Sequence, residues 1–266
     1  MTASLEVSPV PMSTGRLLRA YWTEAKYECI RLLRSPAFAG PFLGLPVALY
    51  LLFAVLLYGD ALRKDPKGEG ALFMFLGFTI FGVLGPGMFG FGISVATERE
   101  KGLFALKRAL PMPPGASLLA KLAMSMLFVA IIMATMIAAL PLGHLKLAAG
   151  QLAALSVVCI LGSAPFGAMG LFVGTWASAK AAPALVNLLY LPMIYLSGFL
   201  IPMPKSMERI ERFSPAFHLH QLALWAVGAS KAAPNAGWMP WVHVVVLATV
   251  TLVFTWLAVR RLARVG

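Results

Sequence analysis

The chain has 266 residues, 60% of them hydrophobic and only 12% charged, with 22 Lys and Arg against 10 Asp and Glu and a net charge of +12. Soluble globular chains carry about a quarter charged residues, so a soluble domain is excluded. The charges sit in clusters between long apolar stretches, which argues against nucleic acid as the partner of the basic excess.

Residues 1–13 contain Pro, Ser and Val and read as a flexible N-terminus. From Ser13 onward, Leu18, Trp22, Ala25, Cys29 and Leu33 recur at three- and four-residue spacing, which predicts an amphipathic helix over 14–34. Arg16, Arg19, Lys26, Arg31 and Arg34 flank that stripe. Such a helix lies in the membrane interface, with Tyr21 and Trp22 at headgroup depth, or docks on a partner; the two placements are compatible.

Charge-free stretches follow at 35–59, 70–97, 122–145, 147–179, 181–204 and 232–259. Each reaches the ~20 residues that cross a bilayer core as helix. They predict an all-α membrane protein of six transmembrane helices, near 38–58, 71–96, 119–142, 147–175, 181–201 and 239–259, within one domain over 35–266. The polar/apolar alternation of a β-barrel is missing. In the second span, Gly82, Gly85, Pro86 and Gly87 disfavour a stiff helix, so close packing and a hinge or pathway kink are both open there. The fifth span carries Asn187, read as interhelical glue or a substrate contact, together with Pro183 and Pro192.

Two segments between spans carry chemistry. The first is Glu98-Arg99-Glu100-Lys101-Gly102, then Leu103-Phe104-Ala105-Leu106-Lys107-Arg108, ending at Pro111. A short charged helix between two greasy spans is a handle for a soluble partner. Glu98, Arg99, Glu100, Lys101 and Lys107 are expected to face that partner, and Leu103, Phe104 and Leu106 to seat apolar surface. The second segment follows Pro202 and Pro204. Met207, Ile210, Phe213 and Phe217 alternate with Glu208, Arg209, Glu211 and Arg212, and the apolar run 216–229 is too short to cross. It predicts a helix pair on, or dipping into, the outer leaflet. Segments 1–34 and 97–121, Lys180 and the tail hold fourteen Lys and Arg, against eight on the opposite side. The excess places both termini in the cytoplasm of a multi-pass cell (inner) membrane protein.

Gly-x-x-x-x-Gly-Lys-Ser/Thr does not occur, so this chain has no phosphate-binding loop for ATP. No catalytic residue and no metal site is expected: Cys29 and Cys159 are isolated, and His218-Leu219-His220 has no evident third ligand. Ion-coupled carriers place ionisable groups at membrane depth, and none is predicted here. An intramembrane enzyme needs a pair such as Ser–His at that depth, whereas His144, His218 and His220 map to exterior edges.

Two motifs resemble the membrane subunits of ATP-binding-cassette (ABC) transporters of the type-2 exporter class. One is Glu98-Arg99-Glu100-Lys101-Gly102 with Leu106 and Pro111; the other is Ser197-Gly198-Phe199-Leu200-Ile201-Pro202 with Ser214-Pro215-Ala216-Phe217-His218. The general plan agrees over about residues 13–264. The resemblance implies a pair of permease subunits, identical or related, above two separate ATPase subunits that bind ATP and Mg, with no cofactor on this chain. It makes 98–108 the coupling helix, 14–34 the connecting helix, and 203–229 a re-entrant helix pair that closes the exterior side, entered at Pro202. Leu103 departs from the Thr of many relatives. The implied function is export of an amphiphilic or lipid-like substrate or drug. The alternatives are a non-transporting partner or sensor of an ATPase and, below that, an intramembrane enzyme.

Overall fold

The structure, a computed structural model, describes residues 14–104, 106, 116–201, 204, 206, 208–229 and 238–265. Among these, every regular element is helical: α1 (Thr14–Leu33), α2 (Pro36–Tyr50) running into a π-helical segment (Leu51–Leu57), α3 (Gly59–Arg63), α4 (Glu69–Glu100) and α5 (Ala116–Ala139) with a 3-10 turn (Leu140–Gly143). They continue with α6 (Ala149–Gly162), α7 (Ala164–Trp176), α8 (Ala182–Leu196), α9 (Glu208–Glu211), α10 (Pro215–Ala226) and α11 (Pro240–Val265).

Among the described residues, five runs are long and apolar enough to cross a membrane: Pro36–Leu57, Glu69–Glu100, Leu119–Gly143, Ala149–Trp176 and Pro240–Leu262. The shortest of them has 22 residues, about 33 Å of helix against a hydrocarbon core of about 30 Å. The predicted fifth span, 181–201, is helical only as the 15-residue α8, about 22 Å long. It stops at Ser197 and Gly198, whose φ of +68 is a left-handed backbone that ends a helix. The predicted fourth span is broken in two at Ser163. Pro165, in the first turn of α7, has no N–H for the carbonyl four residues back.

The longest helix, α4, forms the centre. Phe75, Leu76, Ile80, Val83, Leu84 and Met88 along it are fully buried. Within a bilayer, apolar burial against other helices gains little over burial in lipid, so close contact and dispersion must hold the bundle. Glycines supply that contact where α4 meets α7. A Cβ on Gly87 would stand 2.7 Å from the Gly167 backbone N, and one on Gly174 would stand 2.8 Å from the Gly92 carbonyl O. Gly82 faces Pro46 and Ile132, and Gly85 faces the Phe42 ring. In this second span Pro86 is buried and the helix runs unbroken past it.

Two features stand out at the periphery. On α1, Ala25, Cys29 and Leu32 turn toward α5, while Leu18, Trp22 and Leu33 stay exposed, so the predicted apolar stripe is divided between the bundle and its surroundings. Of the segment expected on the outer leaflet, α10 lies packed among α4, α6 and α11, with Ala216, Phe217, His218, Leu219 and His220 buried. Ser214 and Ser197 bond through their hydroxyls, which joins the two halves of the second sequence motif.

Candidate functional site

The 32 residues of α4 make a rod about 48 Å long, some three turns more than the hydrocarbon core needs. The last turn carries Glu98, Arg99 and Glu100, and each grips a different element. Glu98 is only 4% exposed and faces Lys121 of α5, which is fully buried. Lys121 Nζ donates to Glu98 Oε1 at 2.6 Å and to Glu28 Oε1 of α1 at 2.7 Å. Arg31 donates to Glu28 Oε1 at 2.7 Å and lies 3.6 Å from Glu98. Among the described residues, two acids and two bases thus meet in a cluster whose ions have partners, the condition under which buried charge is tolerated. Burial pushes the Glu28 carboxyl up, but Lys121 and Arg31 outweigh it and hold the group below its ordinary value.

Arg99 donates to the carbonyl of Thr175 and, at 2.7 Å, to that of Ala177. Arg261 of α11 donates through Nε to the Thr175 carbonyl at 3.1 Å, with its guanidinium 3.3 Å above the Trp176 ring. A helix C-terminus leaves carbonyls without intrahelical donors and carries partial negative charge, so two arginines suit the end of α7. Glu100 Oε1 accepts from the Ala179 backbone N at 2.9 Å, which closes the turn after α7 onto α4.

Beyond this knot the chain turns outward. Lys101 and Gly102 are exposed, and Gly102 has φ +66 with open space around it. Leu103, Phe104 and Leu106 are helical. Phe104 packs beside Phe91, Val95 and Leu171, whereas Leu106 is 59% exposed. Lys107 lies outside the described residues. The set expected to face a partner therefore divides: Glu98, Arg99 and Glu100 bond within the chain, and Lys101 and Leu106 point away from it. On α1, Arg16, Arg19, Trp22 and Lys26 are exposed, and Arg31 joins the ion cluster. Sequence reasoning missed Glu28, Lys121, Thr175 and Arg261. Lys121 carried the one available signal, a lone cation inside the start of an apolar span.

At the opposite end of the bundle, a cavity of about 700 Å³ opens among α2, α4 and α8. Phe53, Tyr58, Phe73, Phe78, Phe81 and Tyr190 line much of it. Leu191 and Tyr195 of α8 also line it, and Asn187, Leu188 and Pro192 are exposed beside it. Also at this end, Phe213 is almost fully exposed and Pro215 is buried at the start of α10; Pro202 lies outside the described residues. His218 Nδ1 lies 2.8 Å from His243 Nδ1, and His218 Nε2 lies 2.9 Å from the Arg212 carbonyl, so its bonds run to these groups and not to a serine. Among the described residues, no three of His, Cys, Asp and Glu gather as a metal site.

The sequence matches the pattern of the ABC-2 type transporter family over residues 19–227. It is also 25% identical over 195 residues, 72% of this chain and 78% of its relative, to the Bacillus subtilis (strain 168) protein YvfS, described by name as a transport permease.

Proposed function

We propose a specific role for this chain, which belongs to the ABC-2 type transporter family and is the membrane subunit of such a transporter: it exports an amphiphilic or lipid-like molecule, driven by a separate ATPase subunit that binds ATP and Mg. The observation that carries this reading is the reach of α4. Its first half lines the 700 Å³ cavity with Phe73, Met74, Gly77, Phe78 and Phe81, and its last turn holds the ion cluster. One unbroken helix thus joins a drug-sized, aromatic cavity to a loop that presents Lys101 and Leu106. Force applied to that loop moves α1, α4, α5 and the end of α7 as a unit, because Glu98, Arg99 and Glu100 tie them together.

In this reading the segment from Glu98 to Leu106 is the coupling element, seated on the ATPase through Leu106 and Lys101, with α1 as the connecting helix at the inner membrane surface. Both termini are cytoplasmic, α8 together with the non-helical residues 197–201 that follow it makes the sixth crossing, and α9 with α10 closes the exterior end. The exposed α8 face at Asn187 and Leu188, beside the cavity, receives a second permease subunit, since an amide in an apolar medium is stabilised by an interhelical partner. The aromatic cavity favours the apolar body of an amphiphile over a sugar or an inorganic ion.

The test is ATP-dependent transfer of a fluorescent phospholipid analogue in liposomes that hold the chain together with its ATPase subunit. Lys101→Glu with Leu106→Asp is expected to lower transfer at least tenfold while the yield and transition temperature of the folded chain stay unchanged. Unaltered transfer in that variant overturns the coupling role.

A further inference from the structure

At the basic end, a second recess of about 400 Å³ lies between α7 and α11. Its walls are Phe172 and Trp176 of α7 and Leu257, Arg260, Arg261 and Arg264 of α11. The two kinds of residue are separated along the helix axis. Phe172 and Leu257 lie on the side of the membrane-spanning window, with Phe172 packed edge-on against Phe254 at 5.5 Å, and the three arginines gather where the apolar run of α11 ends. Trp176 and Trp256, both more than half exposed, sit at the junction, the depth at which indole rings collect in membranes.

The arginines are arranged, and their charge is not neutralised. Arg261 is fixed by its Nε bond to the Thr175 carbonyl and by stacking on Trp176, so the rest of its planar fork has a set direction. Arg260 stacks over Trp256 at 5.1 Å. Arg264 stands one turn beyond Arg260 and is exposed. Among the described residues, none of the three makes an ion pair with an acid: Glu98 and Glu28 are committed to Lys121, and Glu100 accepts from Ala179. A stop signal after a span needs only cations near the interface. A recess with an apolar floor and three converging guanidiniums also offers a binding site for a molecule that is anionic above and hydrocarbon below.

The geometry points to a site for an anionic glycerophospholipid, its headgroup phosphate held by Arg260, Arg261 and Arg264 and an acyl chain laid along Phe172, Trp176 and Leu257. Guanidinium forks match phosphate oxygens geometrically, and basic recesses between spans on the cytoplasmic side bind such headgroups. The assignment to the inner leaflet rests on the sidedness proposed above; the choice of ligand rests on the recess alone. The site also touches the transport machinery, because the Thr175 carbonyl that receives Arg261 also receives Arg99 of the α4 terminal turn. A lipid seated on Arg261 would hold in place the end of α7 to which that turn is bound.

The experiment uses the intact chain, purified in detergent, stripped of lipid, and titrated with phosphatidylglycerol or phosphatidylcholine while bound lipid is counted by native mass spectrometry. Phosphatidylglycerol is expected to be retained preferentially. Arg260→Gln with Arg264→Gln is expected to lower that affinity about 30-fold, the equivalent of about 1 kcal/mol for each basic side chain near an anionic surface, and to leave phosphatidylcholine binding unchanged. The transition temperature of the variant in phosphatidylcholine micelles reports whether it folds. If it does not, bromine-labelled acyl chains quenching Trp176 and Trp256 in the unmodified chain give the same comparison between the two lipids. Equal retention of both lipids overturns the proposal. Displacement of phosphatidylglycerol by soluble glycerol phosphate at equal concentration overturns it in favour of a free phosphate ligand. Loss of ATPase co-purification in the variant, with both lipids bound equally by the unmodified chain, overturns it in favour of an acidic protein surface. None of these readouts depends on transport, so a failure here leaves the proposed export function standing, and the reverse also holds.

Discussion

Replacing Lys121 by Met removes the centre of the ion cluster while keeping much of the side-chain volume. Its ammonium lies 2.6 Å and 2.7 Å from two carboxylates, and the side chain is about 1% exposed. In the intact protein, attraction and desolvation nearly cancel, so the cluster itself adds modest stability. Removing one ion breaks that balance: Glu98 stays buried opposite Glu28, and among the described residues the half-exposed Arg31 is the cation left beside them. Losing one partner of a buried pair costs about 3–5 kcal/mol, and at about 2–4 °C per kcal/mol for a chain of this size the transition falls by roughly 6–20 °C. The assay is thermal unfolding in a single detergent, followed by intrinsic fluorescence. The control is the triple variant Glu28→Gln, Glu98→Gln, Lys121→Met, in which no buried charge is stranded; it is expected to recover most of the loss. A single variant within about 2 °C of the unmodified chain, or a triple variant no better than the single one, refutes the claim that these carboxylates are desolvated and held by Lys121.

Three further outcomes follow from the same structure. Gly87→Val places a branched side chain against the Gly167 backbone; overpacking of this kind costs about 1–3 kcal/mol, read as a lower transition temperature, and an unchanged one removes the close α4–α7 contact. Glu28 is held below its ordinary value of 4.5 by Lys121 and Arg31 against the opposing effect of burial, so the stability it contributes is fully present above that value and is lost as pH falls through its lowered value. The difference in transition temperature between the unmodified chain and Glu28→Gln should hold from pH 7 to 5 and shrink only in stronger acid; shrinkage between pH 7 and 6 contradicts the assignment. Met74→Trp fills part of the aromatic cavity and is expected to slow transfer of the fluorescent phospholipid severalfold with ATP hydrolysis retained; full transfer shows that the cavity is not on the route.

The placement of the long helices was legible because spans announce themselves by the absence of charge. Charge-free runs predicted spans near 71–96 and 119–142, where the structure has Glu69–Glu100 and Leu119–Gly143. Hydropathy does not register backbone breaks. It joined α6 to α7 across Ser163, where Pro165 removes a donor, and it extended α8 past the left-handed Gly198. On α1, apolar spacing marked a stripe through Trp22, yet the inward face is built around Glu28. A helix docked through ionised groups has an interface that apolar periodicity overlooks. The roles of Glu98 and Arg99 were illegible for a related reason. Lys121 lies 23 residues from Glu98 and 93 from Glu28, and the Thr175 carbonyl is 76 residues from Arg99. Charge clustering marked the loop as functional; only the fold separates the residues that anchor it from Lys101 and Leu106, which it presents.

In the proposed function, the loop beyond Glu100 meets an ATPase on the cytoplasmic side. With Cys29 and Cys159 replaced by Ser, a single Leu106→Cys and a membrane-impermeant maleimide test this directly. No labelling is expected in intact cells, with rapid labelling in inside-out vesicles stripped of peripheral protein and protection when the ATPase subunit is bound back. Labelling from outside intact cells, or labelling that the bound ATPase leaves unaltered, contradicts it.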